Sequence, residues 1–144
     1  DLLERTKSAD ALGEIGDVSA VPALIEALDD ESAEIRYLAT KSLGKLKDKR
    51  AVDPLIHVLT SEDKWVRHGA AKALGLIGDP KAVDALIPLL KDRYHDVRAH
   101  AAWALGELGD PRAIESITPL LKDEKTDVRK ESEKALEKLR SKKV

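Results

Sequence analysis

Cysteine, methionine and phenylalanine are absent from this 144-residue chain, and aromatic residues make up only 3% of it, as two Trp and two Tyr. Without Cys there is no disulfide, no thiolate nucleophile and no Cys-ligated zinc. No stretch approaches the roughly 20 apolar residues of a membrane-spanning helix and no signal-peptide pattern opens the chain, so a cytoplasmic location is the expectation. Charge of one sign is lacking too. The 25 Lys+Arg nearly cancel the 27 Asp+Glu, which leaves no bulk basic field to attract nucleic acid or an anionic membrane. The missing Met, an initiator included, points to a processed fragment or an engineered chain. High charge without Cys or Met is also a thermophile habit and fits a thermostable protein. No segment alternates with period two, and β-branched residues are sparse beside Ala and Leu, so strands are not expected.

What is present is repetition. Leu12, Leu43, Leu74, Leu105 and Leu136 recur every 31 residues, as do Gly13, Gly44, Gly75 and Gly106, the Asp17 and Ala20 columns, and Arg5, Arg36, Arg67, Arg98 and Arg129, without an insertion. A unit this short cannot bury an apolar face alone and must stack on its neighbours, which is the logic of a solenoid. Val66, Ala70, Ala73, Leu74 and Ile77 fall at helical spacing, and so do Ala82, Val83, Leu86, Ile87 and Leu90 after a break at Gly78-Asp79-Pro80. In that break Gly78 suits a left-handed residue closing one helix, Asp79 a cap for the next and Pro80 its first position. The prediction is an all-α solenoid, an alpha-alpha superhelix of about four and a half 31-residue helix pairs and about nine helices, filling residues 1–144 as a single domain.

The run Val66-Arg67-x-x-Ala70-Ala71-x-Ala73-Leu74-Gly75-x-Ile77-Gly78-Asp79-Pro80, followed by Ala82-Val83-x-x-Leu86-Ile87, resembles the HEAT-like repeats of the phycobilisome-lyase type, and the resemblance covers nearly the whole chain. It implies that the helix carrying the Val-Arg motif lines a concave side and its partner a convex side. Such repeats serve in scaffolds, in chromophore lyases and in a hydroxylase, so the resemblance leaves function open. The hydroxylase relatives hold iron through His-Glu dipeptides. Here His68 precedes Gly69 and His100 precedes Ala101, and that ligand set does not carry over.

The ends differ from the middle. Residues 1–16 read as a partial first repeat lacking its first helix, with Ala9, Ala11, Leu12 and Ile15 left apolar, so an uncovered edge open to self-association or to an upstream continuation is expected. Residues 126–144 read as a polar C-terminal capping helix, with Ser132, Glu133 and Glu137 replacing small residues of earlier units.

With Val66, Ala70, Leu74 and Ile77 inward, the opposite stripe of that helix holds positions 65, 68, 69, 72 and 76. Across the units these columns stop repeating: they carry Tyr37, Leu38, Lys41, Trp65, His68, Gly69, Lys72, Leu76, Asp96, Ala99, His100, Trp103 and Glu107. Both Trp and Tyr37 fall there and none in a core column. Gly69 and Ala99 are small and lie between the rings, which predicts a concavity with aromatic walls. Lys41, Lys45, Lys72, Asp96 and Glu107 would then set the orientation of a partner. Trp packing as apolar cover is the alternative. Arg93-Tyr94-His95 also replaces the capping residue found before the other Val-Arg helices, Ser32, Asp63 or Thr126.

Sharper chemistries find less support. The Arg36, Arg67, Arg98 and Arg129 row could grip phosphates, but it recurs with Asp17, Asp48, Asp79 and Asp110, so an internal Asp–Arg ladder is expected. Asp96 and His100 lie four apart, with His68 on the adjacent helix, a spacing that zinc or iron accepts and that solvated side chains explain as well. No triad, P-loop or dinucleotide fingerprint is present. The expected function is therefore a non-catalytic scaffold without cofactor or metal, binding another protein or peptide on the concave face. The alternatives are a small-ligand or chromophore-lyase-type site in the same cleft, or a designed repeat scaffold. Nucleic acid is disfavoured because Glu34, Asp96, Glu107, Asp127 and Glu131 interrupt the lysines.

Overall fold

The computed structural model describes residues 2–142; Asp1, Lys143 and Val144, which belong to the two expected end segments, lie outside the described residues. Nine α-helices and no strand are found among the described residues. Five are long: α1 (Leu2–Ile15), α3 (Ala33–Leu46), α5 (Lys64–Ile77), α7 (His95–Leu108) and α9 (Thr126–Lys142). Between them run α2 (Val21–Ala27), α4 (Val52–Val58), α6 (Val83–Leu86) and α8 (Ile114–Ile117), each entered through a 3-10 turn. Proline explains why α6 and α8 are so short. Pro22 and Pro54 stand in the first turn of α2 and α4, where no backbone donor is needed, whereas Pro88 and Pro119 come after α6 and α8 and the chain continues as the 3-10 segments Ile87–Lys91 and Thr118–Lys122.

The junctions follow the expected chemistry with one addition. Gly78 and Gly109 close α5 and α7 at φ +78 and +73, and Asp79 and Asp110 accept the N–H of Lys81 and Arg112 at 3.0 and 2.9 Å. At the same place after α3 the chain uses Lys47 at φ 53, a cost that a side chain bears in this region.

The long helices pack in series, α1 on α3, α3 on α5, α5 on α7 and α7 on α9, and each short helix packs on the long helix that follows it. Leu43, Leu74, Leu105 and Leu136 are all at most 1% exposed, as are Leu24, Leu55, Leu86 and Ile117 from the short helices. The seam between long helices is set by glycine against a small residue. A Cβ added at Gly44 would lie 3.0 Å from the Ala73 Cα, and one at Gly75 the same distance from the Ala104 Cα. These glycines therefore sit inside helices for close approach, and of Gly75-x-x-Gly78 only the later glycine closes its helix.

The arginine column is internal, as expected, but its acid is a different one. Arg67 Nε donates to Asp92 Oδ2 at 2.7 Å and Nη1 to the Ser61 carbonyl at 2.8 Å; Arg98 likewise joins Asp123 at 2.9 Å and the Asp92 carbonyl at 2.8 Å. The Asp17, Asp48, Asp79 and Asp110 column instead caps the 3-10 turns. Each rung thus ties the loop before one long helix to the loop before the next. Burial pushes the Asp92 and Asp123 carboxyls up, but the hydrogen bonds from Arg67 or Arg98 and from the N–H of Tyr94 or Lys125 prevail, and both lie below the usual carboxylate range.

At the ends, Ile15 is 71% exposed, while of its counterparts Leu46, Leu108 and Leu139 are buried and Ile77 is half-buried. On α9, Val128, Leu136 and Leu139 are buried and Glu133, Glu137 and Arg140 exposed. Ser132 does not belong with that polar face: it is fully buried, at the position of Ala70 and Ala101, and its hydroxyl has no hydrogen-bond partner.

The ladder is incomplete at one rung. Arg36 reaches the Asp30 carbonyl at 2.7 Å, but Ser61 stands where its carboxylate would be. Asp30, Asp92 and Asp123 all accept the N–H two residues on, as Ser61 Oγ does from Asp63. Ser61→Asp is expected to keep that bond, add the missing ion pair and raise stability by about 1 kcal/mol. Urea unfolding checks this; an unchanged or lower midpoint would show that the loop cannot bring Arg36 onto the new carboxylate.

Candidate partner-binding site

The faces of α3, α5 and α7 turned away from the short helices carry the non-repeating columns. Four rings form one row across them. Tyr37 meets Trp65 edge to face with centroids 6.4 Å apart, Trp65 meets His68 at 5.9 Å, and His68 meets His100 on the next helix at 4.0 Å. Trp65 is 50% exposed, and Ile15 and Val18 at the far end are the other large apolar residues this open among those described. Lys64 lays its ammonium 5.3 Å from the Trp65 ring and 4.5 Å from that of Tyr94. Tyr94, which caps nothing, thus has a use in packing: Lys64, Arg67 and Arg93 gather around its ring.

Trp103 stands apart from the row. Its Cζ3 is 2.5 Å from where a Gly75 Cβ would be, so the ring lies on α5 as cover over a glycine and packs against the core, although its column points outward. Tyr37 and Leu38 also pack partly against the core. Gly69 is buried because Thr40 fills the space above it: a Cβ there would stand 2.1 Å from the Thr40 Oγ1. Ala99 is 4% exposed. In place of one concavity, two wells flank Lys72. The first, about 100 Å³, lies in the α3–α5 seam with Tyr37, Thr40, Gly69 and Leu76 in its walls. The second, about 200 Å³, lies in the α5–α7 seam with Ala99, His100, Trp103 and Glu131. A wider hollow of about 550 Å³ runs from Trp103 over Glu131, Lys134, Glu137 and Lys138 of α9.

Of the charges expected to orient a partner, three are engaged inside the stack. Lys41 pairs with Asp10 at 3.7 Å, Lys45 with Glu14, and Glu107 with Lys138, each across 31 residues to the neighbouring long helix. Lys72 and Asp96 make no ion pair among the described residues, and neither does Glu34. Thr40 and Lys64 were not among the expected site residues, and Glu131 figured only as a charge that interrupts the lysines. Lys64 had a signal, its place directly before Trp65, but the other two depend on the seam geometry.

His100 Nδ1 donates to the Asp96 carbonyl at 3.0 Å, which fixes its tautomer. Among the described residues no three His, Asp or Glu side chains converge as metal ligands, so His68, Asp96 and His100 do not form the set that their spacing permits. Among the described residues no helix is long and apolar enough to cross a membrane.

A model of HEAT repeats matches residues 3–64, 21–99 and 52–137 in overlapping stretches. The chain belongs to the HEAT-repeat family. The phycobilisome-lyase resemblance also holds. The complex of CpcE and CpcF of phycocyanin lyase from Nostoc sp. PCC7120 is 32% identical with a TM-score of 0.90, over 98% of this chain and 61% of that one. This HEAT-repeat chain therefore spans 61% of the length of that lyase chain. An engineered protein is 26% identical, TM-score 0.77, over 95% of this chain and 73% of its own. Human deoxyhypusine hydroxylase, in complex with glycerol, is 29% identical, TM-score 0.71, over 84% and 43%. Among curated proteins none matches the sequence.

His68 gives the site a pH signature. Burial holds its imidazole down to about 4, the His100 ring and Lys72 add to this, Asp96 opposes it, and its Nδ1 is buried without a hydrogen-bond partner. In the unfolded chain the same group titrates near 6.5. Between those values the unfolded chain holds a proton that the folded one refuses, so this contribution to stability is full above about 6.5, declines as pH falls towards 4, and levels off below. Allowing for solvent screening of a half-buried ring, the decline is on the order of 1–2 kcal/mol. His68→Gln is expected to flatten the urea-midpoint profile in this window. An equal slope in both proteins would remove His68 as its source.

Proposed function

We propose that this HEAT-repeat chain is a non-catalytic protein-binding module that holds a partner on the face formed by α3, α5 and α7. Close glycine–alanine seams bring the long helices together, while the short helices touch one another little, so the stack curves toward the long-helix side and makes it concave. The observation that carries the reading is Trp65. A large ring half in water, in contact with Tyr37 and His68 and mounted on the middle helix of the stack, has the character of an interface anchor. The wells beside Lys72 would take small side chains of the partner around it. In the same reading the residues make a single domain, and the open edge at Ile15 and Val18 is a second surface that takes another copy or an upstream continuation of the chain.

Trp65→Ala removes an anchor and leaves the core untouched. Its expected cost is about 2 kcal/mol of binding, roughly thirtyfold in affinity, with the thermal midpoint of the free protein unchanged. Affinity capture from the cells that carry the chain, read by mass spectrometry for wild type, Trp65→Ala and Trp103→Ala, tests it. A protein held by wild type and lost only with Trp65 supports the reading. Identical lists for wild type and Trp65→Ala overturn it.

The hollow of about 550 Å³ beside Trp103 is of small-ligand size and favours a second reading, a ligand site on the same face. Its charged walls, and a Ser141 hydroxyl that is engaged in donating to the Lys138 carbonyl, weigh against a lyase reaction there. Native mass spectrometry of the protein purified from its cells is expected to give the bare chain mass; an added mass lost on Trp103→Ala would reverse the choice.

A further inference from the structure

The aromatic row is bordered by acid on the side where its ring is open. Trp65 occupies a column whose neighbours are Glu34 on α3 and Asp96 on α7, each 31 residues away on the helix next to it. Both carboxylates lack an ion pair among the described residues, whereas Asp10, Glu14, Glu107 and Asp127 on the same face are each engaged by Lys41, Lys45, Lys138 and His95. Glu34 is exposed and Asp96 half-buried. Two unpaired anions thus stand on either side of a half-exposed indole.

A second observation shows what such a ring attracts. The chain's own Lys64 ammonium already lies over the Trp65 ring at 5.3 Å. The faces of Trp and Tyr carry negative potential, and an anion placed there would be repelled by both the rings and the carboxylates. The wall nearest the ring on the same helix is His68, buried enough to stay neutral near pH 7, so it adds no opposing charge. Lys72 is two turns away from Trp65 along α5, at the wells.

We infer that Trp65, Tyr37, Glu34 and Asp96 form a site for a basic side chain, the guanidinium or ammonium of an exposed peptide segment of the partner. The cation stacks on the indole and is neutralised by the two carboxylates, while Lys64 competes for the ring and is displaced or turned aside by the guest. The chemistry disfavours nucleic acid, whose phosphates would meet Glu34 and Asp96 first. The inference rests on the proposed protein-binding role and specifies the partner's chemistry at that surface.

The test is selection from a random-peptide phage library on the full chain at low salt, followed by titration of the selected synthetic peptides monitored by Trp fluorescence. The variants are Trp65→Ala, Lys64→Gln and the double variant Glu34→Gln/Asp96→Asn, all at open or half-open positions, with thermal melts as the folding control. The expected peptides carry Arg or Lys, bind about tenfold more weakly to Trp65→Ala and to the double variant, lose affinity as salt rises, and bind at least as well to Lys64→Gln. Peptides that need Trp65 but contain no basic residue, with affinity unchanged in the double variant, overturn the inference and leave the binding module standing. Selection that yields no Trp65-dependent peptide overturns both.

Discussion

Each long helix presents a glycine to a small residue of the next, Gly44 to Ala73, Gly75 to Ala104 and Gly106 to Ala135, and the spacing of the stack depends on that contact. At 2.9 to 3.0 Å from a backbone carbon, a methyl group at any of them has nowhere to go without moving a helix. Once the helices are this close, the leucine columns are sealed, the arginines reach the next loop, and residues 31 apart become neighbours in space. The ion pairs Lys41–Asp10 and Lys138–Glu107 and the His68–His100 contact between α5 and α7 are all consequences of the same register.

The period made the architecture legible. Helix pairs, capped breaks and the internal role of the arginines follow from columns that recur unbroken, because the stack imposes the same contacts on every unit. The ladder's acid was misassigned for a related reason. Two aspartate columns run at the same period, and the unbroken one at 17, 48, 79 and 110 belongs to the 3-10 caps, whereas the true partners at 30, 92 and 123 are interrupted by Ser61. Periodicity ranks a column by its regularity; reach and geometry decide what it binds.

The site was less legible because a column gives the direction of a Cβ and not the course of a side chain. Lys41, Lys72 and Trp103 share one column. Lys72 extends into solvent and Lys41 reaches to Asp10, while the indole at the same position lies down on Gly75 of the preceding helix, where the glycine leaves room for it. Gly69 misled in the opposite way: an absent side chain suggested a void, but Thr40 occupies the space. Ser132, expected on the polar face of the last helix, is buried where Ala39, Ala70 and Ala101 stand in earlier units. Trp65 stays half in water, its ring meeting Tyr37 and His68 and no glycine.

Coupling in such a stack passes only between nearest neighbours, so rigidity depends on position along the array. Among the described residues α1 packs on one long helix, α3, and Ile15 is left in water. α3, α5 and α7 are each held on both sides by the glycine seams, and Arg67 and Arg98 staple the loops before α5, α7 and α9. The ring row spans these three helices. An anchor on a frame already fixed loses little freedom when a partner arrives, and the interaction energy of Trp65 is then available for binding instead of for ordering the surface around it.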